Sequence, residues 1–356
     1  MDTAKDLALQ KLIASISEYK ASDLHLSVGV PPMLRVEGNL MPLGNESLVD
    51  INFISAIIES WLNDAQKEKL AKDKEITFAY QFKGKARIKV NIIAQQATYS
   101  ISIKAVPEFA RPFLELGFPQ AVKEIIESEK GLVIITGAYN SGRSSTLTSI
   151  IDYLNQNYSK RIVTIEDPME YIYLDNKSII EQREVGRDVN TKAEGLNNLL
   201  TEDVDVVAVH SVEDPEVFQK VLNVASSGRL VVITTNNEGA IDTIKKFINS
   251  FPQEERSQLR ENLSDTLSLI ISQKIIPKVG GGEVLAYEVL IPNQGITSLI
   301  KEGDLSQIKN TMQTSPGEGM ITMDQKLAEL VNSGSIKQET AFKNTQNPTD
   351  LQTYLG

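Results

Sequence analysis

Cysteine and an excess of positive charge are both missing from this chain of 356 residues. Without cysteine, disulfide bridges, thiolate-bound zinc and cysteine nucleophiles are excluded, and a reducing compartment such as the cytoplasm is compatible with the composition. The formal net charge is −11, from 36 basic and 47 acidic residues. Because nucleic-acid-binding proteins present clustered positive charge, we expect no nucleic-acid partner.

Long hydrophobic runs are missing as well. The longest apolar stretches, at Leu132–Thr136 and Leu230–Ile233, are far shorter than the roughly 18 residues that a membrane-spanning helix needs. Residues 1–13 carry acidic side chains and have the pattern of a helix rather than of a secretory signal peptide. We therefore expect no membrane insertion, and any role at a membrane would be that of a peripheral subunit.

The composition that is present is typical of a soluble globular protein, with 41% hydrophobic and 23% charged residues. A chain of this length exceeds one ordinary core and suits two domains. The pattern of the sequence changes around the proline-containing segment 107–112. We predict an N-terminal domain at 1–106, a linker at 107–119 and a second domain at 120–356 with a helical C-terminal tail.

The two predicted domains differ in the pattern of their strands. In the first, residues 53–69 have a helical pattern, and three later segments alternate apolar and polar residues, at 76–80, 86–93 and 99–105. Such alternation is typical of an antiparallel sheet with one wet face, so we predict a small α+β domain. In the second, nearly continuous apolar runs alternate with helical stretches, which predicts a parallel sheet in an α/β domain. These runs are 131–136, 161–165, 204–209 and 230–234.

The first buried strand of the second domain runs into a phosphate-loop pattern. Three fixed positions of G-x-x-x-x-G-K-[ST] are matched, but the lysine position holds Arg143, whose longer planar fork does not replace a compact ammonium. Backbone N–H groups at the start of the following helix attract phosphate. The predicted nucleotide-binding residues are Gly137, Asn140, Ser141, Gly142, Arg143, Ser144 and Ser145, with Ser144 as candidate Mg²⁺ ligand. The alternative is a serine/glycine turn in an unrelated α/β domain.

Further segments resemble the motifs of one family. Residues 21–27, Ala-Ser-Asp-Leu-His-Leu-Ser, and 31–38, Pro-Pro-Met-Leu-Arg-Val-Glu-Gly, resemble the N-terminal signature of the PilT-like retraction ATPases of the type IV pilus and secretion motor family. The other matches are to the entry to the motor domain, the acidic box, the segment after it and the C-terminal core, at 116–119, 164–171, 182–188 and 267–273 with 280–284. The chain is identified from these motifs as a divergent member of that family.

The resemblance implies a fold and a setting. The expected fold is α/β, with an N-terminal PAS-like α+β domain followed by a RecA-like P-loop motor domain. Members of the family form hexamers that bind ATP with Mg²⁺ and drive pilus disassembly from the cytoplasmic side of the inner membrane. We therefore expect a cytoplasmic protein, peripheral at the inner membrane. Its expected partners are PilT-like subunits, in a homo- or hetero-hexamer, and the inner-membrane pilus platform protein.

The catalytic motifs of the family are only partly present. The acidic box keeps Glu166, to which the resemblance assigns the positioning of the attacking water. The family has Gly-Glu where this chain has His210 and Ser211, an arginine where it has Glu213, and a histidine where it has Asn236. An asparagine can hydrogen-bond a phosphate but cannot carry a proton. His210, Ser211 and Asn236 remain candidate phosphate contacts or sensors.

Arginines are fewer than the family pattern expects. Arg87 is kept in the N-terminal domain, but Ala97, Lys89 and Lys104 stand where arginines are usual. A lysine keeps the charge and loses the bidentate contact with phosphate. Arg87 and Lys104 are therefore further candidate phosphate contacts, and residues 295–300 resemble the family's retraction motif without its arginine.

These departures all concern the nucleotide pocket, whereas the motifs of the fold are kept. Phosphoryl transfer depends on positioned positive charge and an oriented water, and loss of one donor costs roughly a hundredfold or more in rate. The sequence therefore predicts a pseudoenzyme of pilus retraction and twitching motility, which binds nucleotide, hydrolyses ATP weakly or not at all, and acts as a regulatory or accessory subunit. An active but slow ATP-hydrolysing retraction motor and a nucleotide-independent structural platform subunit are the alternatives.

Overall fold

A computed structural model describes residues 3–44, 46–82 and 86–356. Residues 1–2, the start of the stretch predicted to be helical, and residues 45 and 83–85 of the predicted N-terminal domain lie outside the described residues. The chain forms two compact units. The first consists of Met1–Phe109 with Pro168–Ile172, and the second of Ala110–Asp167 with Tyr173–Gly356.

In its described residues the first unit has a six-stranded antiparallel sheet, in the order β3-β2-β1-β6-β5-β4, and three helices. Its elements are α1 (Thr3–Glu18), β1 (Asp23–Leu26), β2 (Met33–Val36), β3 (Asn39–Pro42), α2 (Ile51–Trp61), α3 (Asp64–Asp73), β4 (Glu75–Phe82), β5 (Ala86–Gln95) and β6 (Thr98–Val106). On β5, Ile88, Val90 and Ile92 are buried, while Lys89 and Asn91 between them are half-buried. This alternation confirms the predicted α+β character of the N-terminal part.

The single helix predicted at 53–69 is wrong, because the structure has two helices there. The chain leaves the helical conformation at Leu62, and Asn63 starts α3 with a capping box. The Asn63 side chain accepts a hydrogen bond from the Gln66 backbone N–H at 2.9 Å, and the Gln66 side chain accepts one from the Asn63 backbone N–H at 3.1 Å. A capping box satisfies two N–H groups at a helix start, so it favours a new helix at this point.

The second unit, in its described residues, contains a seven-stranded sheet in the order β13-β12-β7-β11-β10-β8-β9. All neighbouring strands are parallel except the hairpin of β12 and β13. The elements up to β11 are α4 (Gln120–Ile126), β7 (Gly131–Thr136), α5 (Arg143–Asn157), β8 (Arg161–Glu166), β9 (Ile179–Glu184), α6 (Lys192–Leu199), β10 (Val206–Val209), α7 (Pro215–Ser226) and β11 (Leu230–Thr235). The remaining elements are α8 (Ala240–Asn249), α9 (Arg256–Thr266), β12 (Leu267–Pro277), β13 (Glu283–Leu290), α10 (Gln294–Glu302), α11 (Ile308–Thr314), α12 (Met323–Asn332), α13 (Gln338–Asn344) and α14 (Pro348–Leu355).

The central strands β7, β10 and β11 are buried along their whole length, as the continuous apolar runs predict. Because β7, β8, β10 and β11 are parallel neighbours, their carboxyl ends meet at one edge of the sheet. This edge receives the loop after β7, Glu166 at the end of β8, the residues after β10 and the residues after β11. In an open α/β sheet, ligands bind at this edge.

The helical tail is joined to the sheet through a buried carboxylate on β13. The side chain of Glu288 accepts hydrogen bonds from the backbone N–H of Ala240 at 2.6 Å and from that of Met323, which are the first residues of α8 and α12. A helix start carries unpaired N–H groups and partial positive charge, and Glu288 supplies an acceptor for two of them. Across the described ranges, no helix is both long and apolar enough to span a bilayer.

Candidate nucleotide site

The loop from β7 to α5 has a backbone that requires glycine at two positions. Gly137 has a φ of 155°, and a Cβ there would lie 2.4 Å from the Ser141 Oγ and 2.5 Å from the Gln273 carbonyl oxygen. Gly142 has a φ of 87° and directly precedes α5. Between them Asn140 has a φ of 61°, a left-handed conformation that asparagine tolerates better than most residues. The phosphate-loop backbone therefore forms even though asparagine replaces a glycine.

Gln273 on β12 holds this loop from the neighbouring strand. It is fully buried, and its Nε2 donates a hydrogen bond to the Ser141 carbonyl oxygen at 2.7 Å. No motif of the sequence marks Gln273 as part of the site. The one available signal was a polar side chain within the apolar strand β12, which suggests a buried hydrogen bond.

The start of α5 is suited to an anion. No side chain caps its first turn, so the N–H groups of that turn face the loop. In the described part of the chain, the Ser141 Oγ is buried and has no hydrogen-bond partner. Burial lowers the pKa of the half-buried Arg143 guanidinium, and the negative charge of Glu213 opposes that shift. The unpaired donors, with Ser144 and Ser145 in the same turn, fit a phosphate group.

Glu166 lies at the same sheet edge in a closed environment. Its side chain is 1% exposed, and its Oε1 accepts hydrogen bonds from the Thr164 Oγ1 at 2.6 Å and from the Gln182 Nε2 at 2.9 Å. Its Oε2 is 3.7 Å from the Nε2 of His210, a distance too long for a hydrogen bond. The contact with Thr164 could be predicted from the sequence, because side chains two residues apart on a strand lie on the same face. The contact with Gln182 could not, because Gln182 belongs to another strand, β9.

The two residues after β10, His210 and Ser211, place an imidazole ring and a neutral hydroxyl where the family pattern has glycine and glutamate. His210 is buried, and among the described residues its Nε2 has no hydrogen-bond partner. Ser211 has a φ of 53°, and its backbone N–H donates to the Thr234 Oγ1 at 2.8 Å. The Ser211 carbonyl oxygen accepts from the Lys192 Nζ at 2.9 Å. The position thus has a left-handed backbone and provides no carboxylate.

A second set of charges lies beside the Asn236 position. The Oε1 of Glu213 accepts a hydrogen bond from the Asn236 backbone N–H at 2.6 Å. Its Oε2 is 2.9 Å from the Nζ of Lys246 on α8, and the same Nζ donates to the Asn236 carbonyl oxygen at 3.3 Å. The sequence shows the acid at 213 but not its partner, because Lys246 lies 33 residues away.

Arg87 and Lys104 belong to β5 and β6 of the first unit. The Arg87 guanidinium donates to the backbone carbonyl oxygens of Met169 and Glu170, and Lys89 forms an ion pair with the Glu170 carboxylate at 2.8 Å. These contacts lie within the first unit, to which residues 168–172 belong. Arg87 thus has protein acceptors, and its predicted contact with phosphate stays a prediction.

Comparison with known proteins fixes the family. The model of the type II/IV secretion system proteins matches residues 3–325, and the chain is 36% identical to the type IV pilus retraction ATPase PilT of Pseudomonas aeruginosa, over 96% of this chain and 99% of that protein. The chain is a PilT-like member of this family. The PilT-like protein is also 30% identical to the type IV pilus ATPase PilU of the same species, over 98% of its own length and 91% of PilU.

A solved structure supports the fold of the PilT-like protein over almost all of its length. The crystal structure of the pilus retraction motor PilT with bound ADP is similar with a TM-score of 0.83 and 37% sequence identity, covering 96% of this chain and 98% of that one. The predicted family and the predicted fold class, an N-terminal domain followed by a P-loop ATPase domain, are confirmed. The roles of individual site residues are not decided by these likenesses.

Proposed function

We propose that this PilT-like protein binds a nucleotide, ATP with Mg²⁺ or its product, at the loop 137–145 and hydrolyses ATP weakly or not at all. It acts as a regulatory or accessory subunit of pilus retraction and twitching motility. Nucleotide binding is supported by the retained loop backbone, the uncapped start of α5 and the unpaired Ser141 hydroxyl. The related PilT structure contains ADP.

The main support for weak hydrolysis is that the Glu166 carboxylate is buried and surrounded by other side chains. An acidic residue that orients water needs an accessible acceptor atom. Here one carboxylate oxygen already has two donors, and the other faces the buried ring of His210. Where the family pattern has glycine, this chain places an imidazole.

The remaining polar groups do not compensate for this enclosure. Ser211 has a neutral hydroxyl where the family pattern has a carboxylate, and Asn236 has an amide where it has an imidazole. Arg143 supplies charge but not the compact geometry of lysine. Since each misplaced group costs on the order of a hundredfold in phosphoryl-transfer rate, their combination predicts negligible turnover.

The proposed setting follows the family. The protein assembles into homo- or hetero-hexamers with PilT-like subunits and contacts the inner-membrane platform protein of the pilus, as a cytoplasmic subunit peripheral to that membrane. Because the scaffold of a motor subunit is kept, a subunit with slow chemistry would change the output of a mixed ring. An active slow motor is favoured only by the retained Glu166 and Arg143, and a platform subunit would not need nucleotide at all.

Phosphate release from ATP, measured beside an active PilT, tests the proposal. The native protein should release phosphate at least about a hundredfold more slowly than PilT. A variant combining Arg143→Lys, His210→Gly, Ser211→Glu and Asn236→His should regain turnover, because it opens Glu166 and restores the family's charges. Arg187→Lys, on an exposed turn, is the matched control and should not change the rate.

The outcomes separate the three candidate functions. A native rate equal to that of PilT would refute the pseudoenzyme and favour the motor. Equilibrium dialysis with labelled ADP and ATP measures binding independently of turnover. Failure to bind either nucleotide at millimolar concentration would favour the platform subunit.

A further inference from the structure

Glu213 places a fixed negative charge at the sheet edge where nucleotide phosphates are proposed to bind. Its carboxylate is held from three sides: by the Asn236 backbone N–H at 2.6 Å, by the Lys246 Nζ at 2.9 Å and by the Thr235 Oγ1 at 3.4 Å. A carboxylate bound by several donors keeps its position. Glu213 therefore cannot withdraw easily when another anion approaches.

The charge of Glu213 reaches the phosphate loop. Within the described residues no carboxylate lies within 4 Å of Arg143, so this guanidinium has no ion-pair partner. Glu213 nevertheless interacts electrostatically with it, opposing the effect of burial on the Arg143 pKa. Arg143 stands at the position from which a P-loop lysine contacts the β- and γ-phosphates. The segment that holds Glu213 is also joined to the strand that precedes the loop, since the Thr136 Oγ1 at the end of β7 donates to the Asn237 carbonyl oxygen at 2.8 Å. Glu213 and Arg143 therefore belong to the same edge of the sheet.

We propose that Glu213 is a specificity-determining residue that disfavours the terminal phosphate of ATP, so that this site prefers a nucleoside diphosphate to a triphosphate. This inference rests on the proposed nucleotide site. Each additional phosphate brings negative charge towards Arg143, which already interacts electrostatically with the Glu213 carboxylate. With its side chain 41% exposed, Glu213 is partly screened by water, which limits the preference to about tenfold.

The alternative is that Glu213 has only a structural role, since it joins the end of β11 to α8 through Asn236 and Lys246. The two readings differ in their dependence on charge. Glu213→Gln keeps an oxygen acceptor for the Asn236 N–H and removes the negative charge. Lys246→Gln does the reverse, since it leaves the Glu213 charge in place without its cation.

Calorimetric titration with Mg²⁺-ADP and with a non-hydrolysable ATP analogue tests the inference. The native protein should bind the diphosphate about tenfold more tightly, and Glu213→Gln should reduce that ratio severalfold by improving triphosphate binding. Lys246→Gln should increase the ratio. Glu216→Gln, an exposed acid in the first turn of α7, makes the same change in net charge and should leave the ratio unchanged. Added salt should diminish the effect of Glu213→Gln.

The outcomes are decisive for both proposals. If native protein and Glu213→Gln bind the diphosphate with an unchanged ratio of affinities, the inference is wrong and the nucleotide site stands. If neither protein binds either nucleotide, the nucleotide site is refuted and the inference with it. If Glu213→Gln unfolds, as circular dichroism would show, the opposite shift expected of Lys246→Gln decides the matter.

Discussion

The Gln273 side chain shows how one residue far along the chain determines the shape of the phosphate loop. Its Nε2 donates to the Ser141 carbonyl oxygen, and the backbone carbonyl oxygen of Gln273 lies 2.5 Å from the position that a Cβ on Gly137 would take. A buried carbonyl group that loses its donor costs about 1–3 kcal/mol. The loop therefore depends on β12 for its conformation.

Replacing Gln273 with methionine, which has a similar volume, should weaken the loop. We expect Gln273→Met to lower the free energy of unfolding by about 1–3 kcal/mol and the affinity for Mg²⁺-ADP by roughly tenfold, because the Ser141 carbonyl is left without its donor. Urea denaturation and calorimetric titration measure the two effects. Gln253→Met, on an exposed turn, is the control. An unchanged ADP affinity in a destabilised Gln273→Met would show that the loop does not need this hydrogen bond.

At the scale of elements, the junction of α8, α12 and β13 places a carboxylic acid inside the protein. Burial raises the pKa of Glu288, although the backbone N–H groups of Ala240 and Met323 lower it in part. Asp324 raises it further, and Lys309 lowers it. The acid therefore holds its proton to a higher pH in the folded protein than in the unfolded chain.

The stability of the protein should consequently fall with rising pH in the window of Glu288. Since the folded state binds more protons, the contribution of Glu288 is fully present below the ordinary glutamate pKa of about 4.3 and is lost as pH rises through its higher folded value. Glu288→Gln should remove this fall. The measurement is the urea midpoint at a series of pH values, with the exposed Glu283→Gln of the same strand as control. Parallel pH profiles for Glu288→Gln and the native protein would contradict the assignment.

Whether a strand could be predicted from the sequence depended on its place in the sheet, central or at the edge. Continuous apolar runs predicted β7, β10 and β11 because both faces of these strands are buried. The edge strands β3 and β9 escaped notice, since β3 is exposed along its length and β9 is half-buried and polar. The neighbours of these edge strands, β2 and β8, directly precede them in the chain, so distance is not the reason. A strand without a buried apolar face has no periodic apolar pattern from which it could be predicted.

In the candidate site, by contrast, distance along the chain separates what was predictable from what was not. The loop glycines could be predicted because glycine is the residue that adopts positive φ without strain. Glu166 could be predicted because it ends β8, whose apolar run is visible in the sequence. The side chains that decide the state of these groups come from distant segments: Gln182 and His210 act on Glu166, and Lys246 acts on Glu213. Such pairings arise only when the sheet assembles. The sequence therefore indicated the groups and not their environment.

At the scale of the whole molecule, the two units have separate hydrophobic cores, and Trp61, the only tryptophan, lies in that of the first. A ligand stabilises the unit that binds it, by about 2.7 kcal/mol at a hundred times its Kd. The tryptophan thus reports on a unit other than the one carrying the phosphate loop.

Saturating Mg²⁺-ADP should therefore raise the unfolding temperature seen by far-UV circular dichroism, which is dominated by the larger second unit. The transition seen by Trp61 fluorescence should shift less. A differential scan recorded with both signals on one sample makes the comparison, and apo protein with Mg²⁺ alone is the control. Identical shifts of both signals would mean that the two units unfold as one cooperative block.

The departures from the family pattern lie next to one another in the structure, which bears on how turnover could be regained. Regaining an acid at Ser211 alone would leave the His210 ring against Glu166, and removing that ring alone would leave no acid at 211. Either change by itself would leave the negative charge of Glu213, which interacts with Arg143, in place. On the proposed function, no single codon change restores turnover, so selection for motor activity has no first step to favour.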